Sequence, residues 1–501
     1  KKILLFVHGW SVTDTDTYGG LPDRLRNESK AHDLGFTVKH VYLSRYISFR
    51  DEVTIPDIAR GFEAAIRKEL EAEINAGARF VCITHSTGGP VIRDWWHRYY
   101  ENTSSRKPCP MSHLIMLAPA NFGSALAQLG KGRISRLQSW LKGVEPGQGV
   151  LDWLELGSAG SCELNLDWIR TGVNKMSKSG AFAFVLSGQT IDRELYDHLN
   201  AYTGETGSDG VIRVAGANLN SRYIRFHQEA PTVSKGQLQA PRLEVDDMAV
   251  SEDTAMRIVR GASHSGKDKG IMRSVYRPAG HPRGRDVVKG ILQCLEVQTK
   301  TDYKRVVKLH AEESAKVQQE ELIEVEAHLL LKDRIFVHDR YSMVTFRVTD
   351  DEGHPISDFD LLITAGLQND PNLLPKGFLV DRQQNRVTPN TVTFYFNYDV
   401  MIGTQEIKHN GEVVRPASKG AGHLGFKVMP RPTDGFVHYL NCEADAEKHY
   451  LTEVLQPNQT TLIDVVLRRV VHSNVFGLDK AGPEPIKTQD FRKTKPGKDV
   501  I

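Results

Sequence analysis

Phe80-Val81-Cys82-Ile83-Thr84-His85-Ser86-Thr87-Gly88-Gly89-Pro90 decides how this chain is read. An apolar, β-branched run enters a serine flanked by small residues, and Val91, Ile92, Trp95 and Trp96 continue at helical spacing. A serine on so sharp a strand-to-helix turn projects its hydroxyl above the sheet. Small neighbours let a substrate carbonyl approach, and the amino end of the helix turns backbone N–H groups toward the charge developing on the carbonyl oxygen. Ser86 is therefore a candidate nucleophile, and the N–H of Thr87 a candidate oxyanion donor. The usual pattern around such a serine is G-x-S-x-G, whereas Thr84 occupies its first position here. The competing reading is a serine that only caps the following helix.

Working outward, an early strand ends in His8-Gly9-Trp10. The backbone N–H of Trp10 is the candidate second oxyanion donor, because Gly9 allows the turn that would aim it. An ordinary glycine turn over a packed tryptophan is the alternative. A nucleophilic serine needs a base, and the base needs a carboxylate to hold its tautomer, both on loops after later strands. Asp209 is the central carboxylate of the Gly-rich loop 204–210 that leads into Val211 and Ile212, although Asp-Gly is also a common turn pair. For the base, Ala255 to Arg260 reads as a last strand and runs into Gly261-Ala262-Ser263-His264-Ser265-Gly266. Position and order favour His264 over His227 and His281.

To about residue 297, short strands alternate with helical patterns, the mark of a mostly parallel sheet covered by helices. The expected strands are Lys2 to Val7, Phe36 to Leu43, Arg79 to Thr84, His113 to Ala118, Phe182 to Leu186, Arg222 to Phe226 and Met256 to Arg260. Ile58, Phe62, Ile66, Leu70 and Ile74 predict a helix, with Pro56 early and Gly77 just past its end. An insertion at about 121–181, carrying Leu126, Leu137, Trp140, Leu151 and Leu154, is expected to form a helical cap over the site. Residues 299–322 turn charged and helix-favouring and read as a linker or bridging helix. From 323 to 501 the texture becomes short alternating strands between turn residues, such as Tyr341 to Val348, Phe359 to Thr364, Thr391 to Asn397, Phe436 to Leu440 and Thr461 to Val470. The fold class is thus α/β over 1–298, plus a C-terminal all-β, antiparallel sandwich-like domain.

With 501 residues the chain is too long for one core. Its formal net charge of +2 gives no footprint for nucleic acid. The five cysteines, Cys82, Cys109, Cys162, Cys294 and Cys442, lack CxxC spacing, so neither a zinc site nor a disulfide framework is indicated. Asp14, Asp16, Asp246 and Asp247 are loop carboxylates without calcium-loop spacing. No metal or cofactor is expected. No apolar run is long enough to span a bilayer, and the chain reads as soluble.

His8-Gly9-Trp10, His85-Ser86-Thr87-Gly88-Gly89, Asp209-Gly210-Val211-Ile212 and Gly261-Ala262-Ser263-His264 resemble the α/β-hydrolase lipases and phospholipases. They are most similar to the branch of bacterial triacylglycerol lipases, lecithin:cholesterol acyltransferase-like enzymes and type VI secretion lipase effectors. In those lipases a D-G-x-V segment carries the acid, which the resemblance places on Asp209. It covers the first three-fifths of the chain; the second domain resembles only a general β-sandwich. The implied activity is serine carboxylic-ester hydrolysis of lipids, of lipase or phospholipase A type, through an acyl-enzyme. The apolar insertion points to a lipid or membrane-surface substrate. Short-chain or polyester hydrolysis is the alternative within the same chemistry. Thr84 keeps open an inactive hydrolase-like scaffold. The β domain is a candidate for protein or membrane contact, and the effector branch leaves secretion or delivery into a target cell open.

Overall fold

Two large sheets organise the chain, one of six strands and one of nine. The computed structural model describes residues 2–7, 18–32, 35–41, 51–101, 108–130, 147–193, 202–239, 241–327, 332–444 and 450–473. In chain order, the first part contributes Lys2–Val7 (β1), Phe36–Val41 (β2), Phe80–His85 (β3), Met111–Leu117 (β4), Phe182–Ser187 (β5), Ser221–Gln228 (β6), Arg242–Val250 (β7) and Ala255–Ile258 (β8). The second part contributes Tyr341–Asp350 (β9), Phe359–Ala365 (β10), Leu379–Gln384 (β11), Thr391–Asn397 (β12), Leu424–Pro430 (β13), Cys442–Ala444 (β14) and Thr460–Leu467 (β15).

The first sheet is six-stranded, in the order β8-β5-β4-β3-β1-β2, and every pair in it is parallel. All residues of β3 and β5 are buried, as expected of parallel strands covered by helices on both faces. Helices Leu21–Ala31 (α1), Ile55–Asn75 (α2) and Gly88–Trp96 (α3) lie among its crossovers. The periodicity that predicted α2 is its buried face: Ile58, Phe62, Ile66 and Leu70 turn inward, and Phe62 meets Trp95 of α3 at a ring separation of 5.1 Å. Thr54 and Asp57 close a reciprocal capping box at its amino end.

The insertion supplies Gln148–Leu154 (α4), Ala159–Asp167 (α5) and Val173–Lys178 (α6), with Leu126, Leu151 and Leu154 buried. Leu137 and Trp140, also expected in the cap, lie outside the described residues. Val214–Ala217 (α7) and Arg285–Leu295 (α8) precede Lys300–Glu320 (α9), which fills most of the stretch expected to be a linker. It does more than bridge. Tyr303, Val306, His310 and Val317 are buried; Tyr303 donates its hydroxyl to Ala183 O at 2.7 Å, and Ser314 Oγ accepts the N–H of Ile258 at 2.8 Å. The helix covers the β8 edge of the parallel sheet, so its few large apolar residues are the ones that matter.

The second sheet differs from expectation in two respects. It is nine-stranded and mixed rather than antiparallel, in the order β10-β13-β14-β7-β6-β15-β9-β12-β11, with β6 and β9 both parallel to β15. Its centre also holds β6 and β7, so the run Arg222 to Phe226, expected in the parallel sheet, pairs with β15 and β7 instead. Period-2 patterning reports that a run is a strand but not which sheet receives it. Phe346 of β9 and Phe426 of β13 lie on strands five places apart in that order, about 24 Å in a flat sheet. Their rings are 5.1 Å apart, and Phe426 lies equally close to Phe226. The sheet therefore folds over on itself and closes an apolar core of its own, which gives it a sandwich-like section.

Candidate active site

The backbone makes the turn after β3 before any side chain contributes. Ser86 has φ 53°, a left-handed conformation uncommon outside glycine and costing about 1–3 kcal/mol. Three bonds hold it there: Ser86 N donates to Leu117 O at 3.0 Å, and Ser86 O accepts from Gly89 N and Ala120 N at 3.2 Å each. Smallness at Gly89 is required, since a Cβ there would sit 2.7 Å from Pro119 Cβ. Thr84 fits the strand without disturbing this turn, although its buried Oγ1 has no hydrogen-bond partner among the described residues. Thr87 stands at the amino end of α3, makes no side-chain capping bond there, and is buried.

Asp209 and His264 come to Ser86 from loops beyond β5 and β8. His264 Nε2 lies 3.2 Å from Ser86 Oγ, and His264 Nδ1 lies 3.0 Å from Asp209 Oδ2. A carboxylate only accepts, so Nδ1 carries the proton in the neutral ring and Nε2 is left to accept the serine hydroxyl. Asp209 is fully buried, and its other oxygen accepts the N–H groups of Val211 and Ile212 at 3.0 and 2.7 Å. Those bonds explain why the D-G-x-V-type segment suits a carboxylate: the chain turns back on the acid and fixes its plane. The two loops are also joined directly, with His264 N donating to Asp209 O at 2.9 Å. His227 and His281 are elsewhere: the first faces Asp246, and the second stacks against Tyr276.

Sequence reasoning passed over two sets of residues that shape this site. His85, beside the serine, donates Nε2–H to His264 O at 3.1 Å, and the two rings lie 4.7 Å apart. The other set comes from the second sheet and packs on the Asp209 loop. Tyr395 donates its hydroxyl to Thr206 O at 3.0 Å, Tyr341 bonds Thr206 Oγ1 at 2.5 Å, and Gly207 leaves room for both rings. Arg213 forks onto Glu205 with two bonds of 2.8 Å and reaches Asp381 of β11 at 2.6 Å. His85 could have been suspected from its place next to the serine. The tyrosines could not, because nothing in a row of residues says which strand meets which loop.

Trp10, with Asp14 and Asp16, lies outside the described residues. Asp246 and Asp247 are paired with Arg225 and Arg170. Among the described residues, His97, Glu101 and Asp167 bring ligand atoms within 4.8 Å of one another. Lys175 Nζ lies 3.0 Å from Glu101, so this cluster already contains its own cation.

No family model matches the chain, and no curated protein matches it. Among solved structures, phospholipase PlaB from Legionella pneumophila is 39% identical, with a TM-score of 0.83, covering 97% of this chain and 98% of that one. A second structure of that protein, in complex with thio-NAD, matches at 39% identity and a TM-score of 0.82, over the same shares of both chains.

The chain belongs to the PlaB phospholipase family. Because the PlaB match runs nearly end to end, the second sheet is part of the family's architecture and not an appended module. This extends the sequence reading, which found only a general sandwich in that half. The lipid-ester hydrolase class implied by the resemblance and the apolar insertion stands with it. No helix among the described residues is long and apolar enough to cross a membrane.

Proposed function

We propose that this chain cleaves acyl esters of phospholipids with Ser86 as nucleophile, His264 as base and Asp209 as the acid that orients it. The observation that carries the proposal is the continuous chain of contacts from Asp209 Oδ2 to His264 to Ser86 Oγ, at 3.0 and 3.2 Å. His264 takes the serine proton as Oγ adds to the ester carbonyl, and the charged oxygen rests on the N–H of Thr87 and, by its place in the sequence, Trp10. Collapse expels the lysolipid alcohol, protonated by His264, and leaves an acyl-serine. Water, deprotonated by the same imidazole, then releases the fatty acid and restores the serine. We divide the chain into 1–298 and 323–501, with β6 and β7 lent by the first unit to the sheet of the second.

A fluorophosphonate probe tests the nucleophile, with labelling expected at Ser86 and lost in Ser86→Ala. Mass spectrometry of a mixed phospholipid extract tests the substrate, with free fatty acid and lysolipid appearing only with the unsubstituted chain. Turnover confined to acetate or butyrate esters would instead favour the short-ester alternative.

A further inference from the structure

Immediately after His264 the chain becomes strongly basic. Between Ser265 and Arg285 lie six basic residues and one acidic one, in a chain whose formal net charge is +2. This stretch borders a cleft of about 590 Å³ against the amino end of α1, lined by Lys267, Arg273, Arg277, Arg283 and Asp23. We propose that the cleft holds the phosphate of a phospholipid headgroup at the bilayer surface.

Some of these cations are committed and others are available. Arg283 is held by Asp268 at 2.8 Å and by the hydroxyl of Tyr276 at 2.7 Å, and among the described residues the Arg277 side chain is paired only with Asp23, at 3.4 Å. The exposed side chains of Lys267 and Arg273 bond no described residue. The wall behind them is backbone against backbone, since a Cβ at Gly20 would lie 2.4 Å from Val275 O. The first turn of α1 adds the positive end of a helix dipole to the same space. An ammonium and a guanidinium beside a helix amino end suit a phosphodiester, which is anionic at any physiological pH and accepts several hydrogen bonds.

The cleft is also tethered to the reaction centre. Ile271 N donates to Ser263 O at 2.9 Å, so the chain doubles back beside the residue preceding His264. Arg273 is two residues further, a span of at most about 7 Å. In a glycerophospholipid only the glycerol backbone separates the phosphate from the nearer acyl ester. This assignment rests on the phospholipid reading above.

The test uses the Ser86→Ala chain, which leaves lipid intact, and flotation with phosphatidylcholine vesicles containing phosphatidylglycerol. Adding Lys267→Gln and Arg273→Gln should weaken vesicle affinity about tenfold or more. Arg273→Lys alone should retain most of it, and the control pair Lys332→Gln and Lys408→Gln, equal in charge but on the two-stranded hairpins 323–337 and 407–415, should retain all of it. Unchanged affinity in the cleft variant, or an equal loss in the control, overturns the proposal. Inorganic phosphate at constant ionic strength distinguishes the source. If the cleft variant loses only a phosphate-dependent rise in Tm and keeps vesicle affinity, the site takes a soluble phosphate and the lipid assignment is wrong. Failure of the unsubstituted chain to consume any phospholipid would remove the functional reading, while flotation of Ser86→Ala would still report on the cleft.

Discussion

Arg213, in the loop that carries Asp209, places its guanidinium 3.9 Å above the ring of Tyr395, a residue of β12 in the second sheet. The loop that carries Asp209 is therefore braced by the second sheet. Both tyrosine rings, stacked 4.8 Å apart, press on its Gly207 turn, and the Arg213 side chain, with 3% exposure, bridges Glu205 to Asp381.

Tyr395→Phe removes the hydroxyl bond to Thr206 O and keeps the ring, so it should lower stability by about 1 kcal/mol. Tyr395→Leu also removes the ring under Arg213 and should lower kcat on a soluble ester more than it raises KM, because the disturbed element orients His264. Arg213→Ala leaves the Glu205 and Asp381 carboxylates buried without their counter-charge, at a cost of about 3–5 kcal/mol. Chemical denaturation with parallel kinetics checks all three. Full stability in Arg213→Ala would show that the two sheets are not coupled through this residue.

Thr84 replaces the glycine usual two residues before the serine, yet the turn forms. Its buried Oγ1 has no described partner, an arrangement that costs about 1–3 kcal/mol. Thr84→Val keeps the shape and removes the hydroxyl, so its Tm should equal or exceed that of the unsubstituted chain, with fluorophosphonate labelling preserved. Thr84→Gly restores the common pattern but adds chain entropy in a strand, and should be less stable by about 1 kcal/mol. A lower Tm in Thr84→Val would reveal a partner for the hydroxyl.

Much of the fold and most of the site could be read before any coordinates, and the limits have physical causes. The meeting of Ser86, Asp209 and His264 could be anticipated because each lies among small residues in a loop or turn of the α/β part, and for Asp209 only with the help of the family resemblance. The parallel sheet could be read because β3 and β5 open with unbroken apolar runs, Phe80 to Ile83 and Phe182 to Leu186. The Arg242 to Val250 run was missed as a strand because its acidic residues, among them Glu244, Asp246 and Asp247, break the apolar alternation, and Leu379 to Gln384 because an edge strand tolerates polar residues. The transfer of β6 to the second sheet left no local trace, since pairing partners are chosen by contacts hundreds of residues away.

Gly188 follows β5 and packs against the turn before His264. A Cβ at this position would stand 1.8 Å from Ala262 O, closer than any relaxation of side chains can accommodate. Thr190 N donates to that same carbonyl at 3.1 Å, so the two segments are already bonded. Gly188→Ala should therefore push the 261–264 turn away and pull the imidazole from Ser86. The expected result is a loss of ester hydrolysis by tenfold or more, about 1.4 kcal/mol or more in the barrier, together with slower fluorophosphonate labelling. Unchanged labelling kinetics would mean that the turn shifts without carrying the histidine with it.

His97 ties the helix behind Ser86 to α5 of the 121–181 insertion. It follows α3 directly, its Nδ1 lies 2.5 Å from Glu101 and 3.3 Å from Asp167 at the end of α5, and those carboxylates, Asp167 foremost, push its pKa up to about 9. A histidine whose pKa is raised on folding adds stability that is fully present below its unfolded value, about 6.5. That contribution is lost as pH rises through the folded value. The Tm difference between the unsubstituted chain and His97→Gln should thus be largest at pH 6 and shrink steadily toward pH 9. Comparing the two chains at each pH removes titrations they share. A difference that stays flat from pH 6 to 9 would mean that the imidazole contributes by packing alone, with no charge of its own in the folded protein.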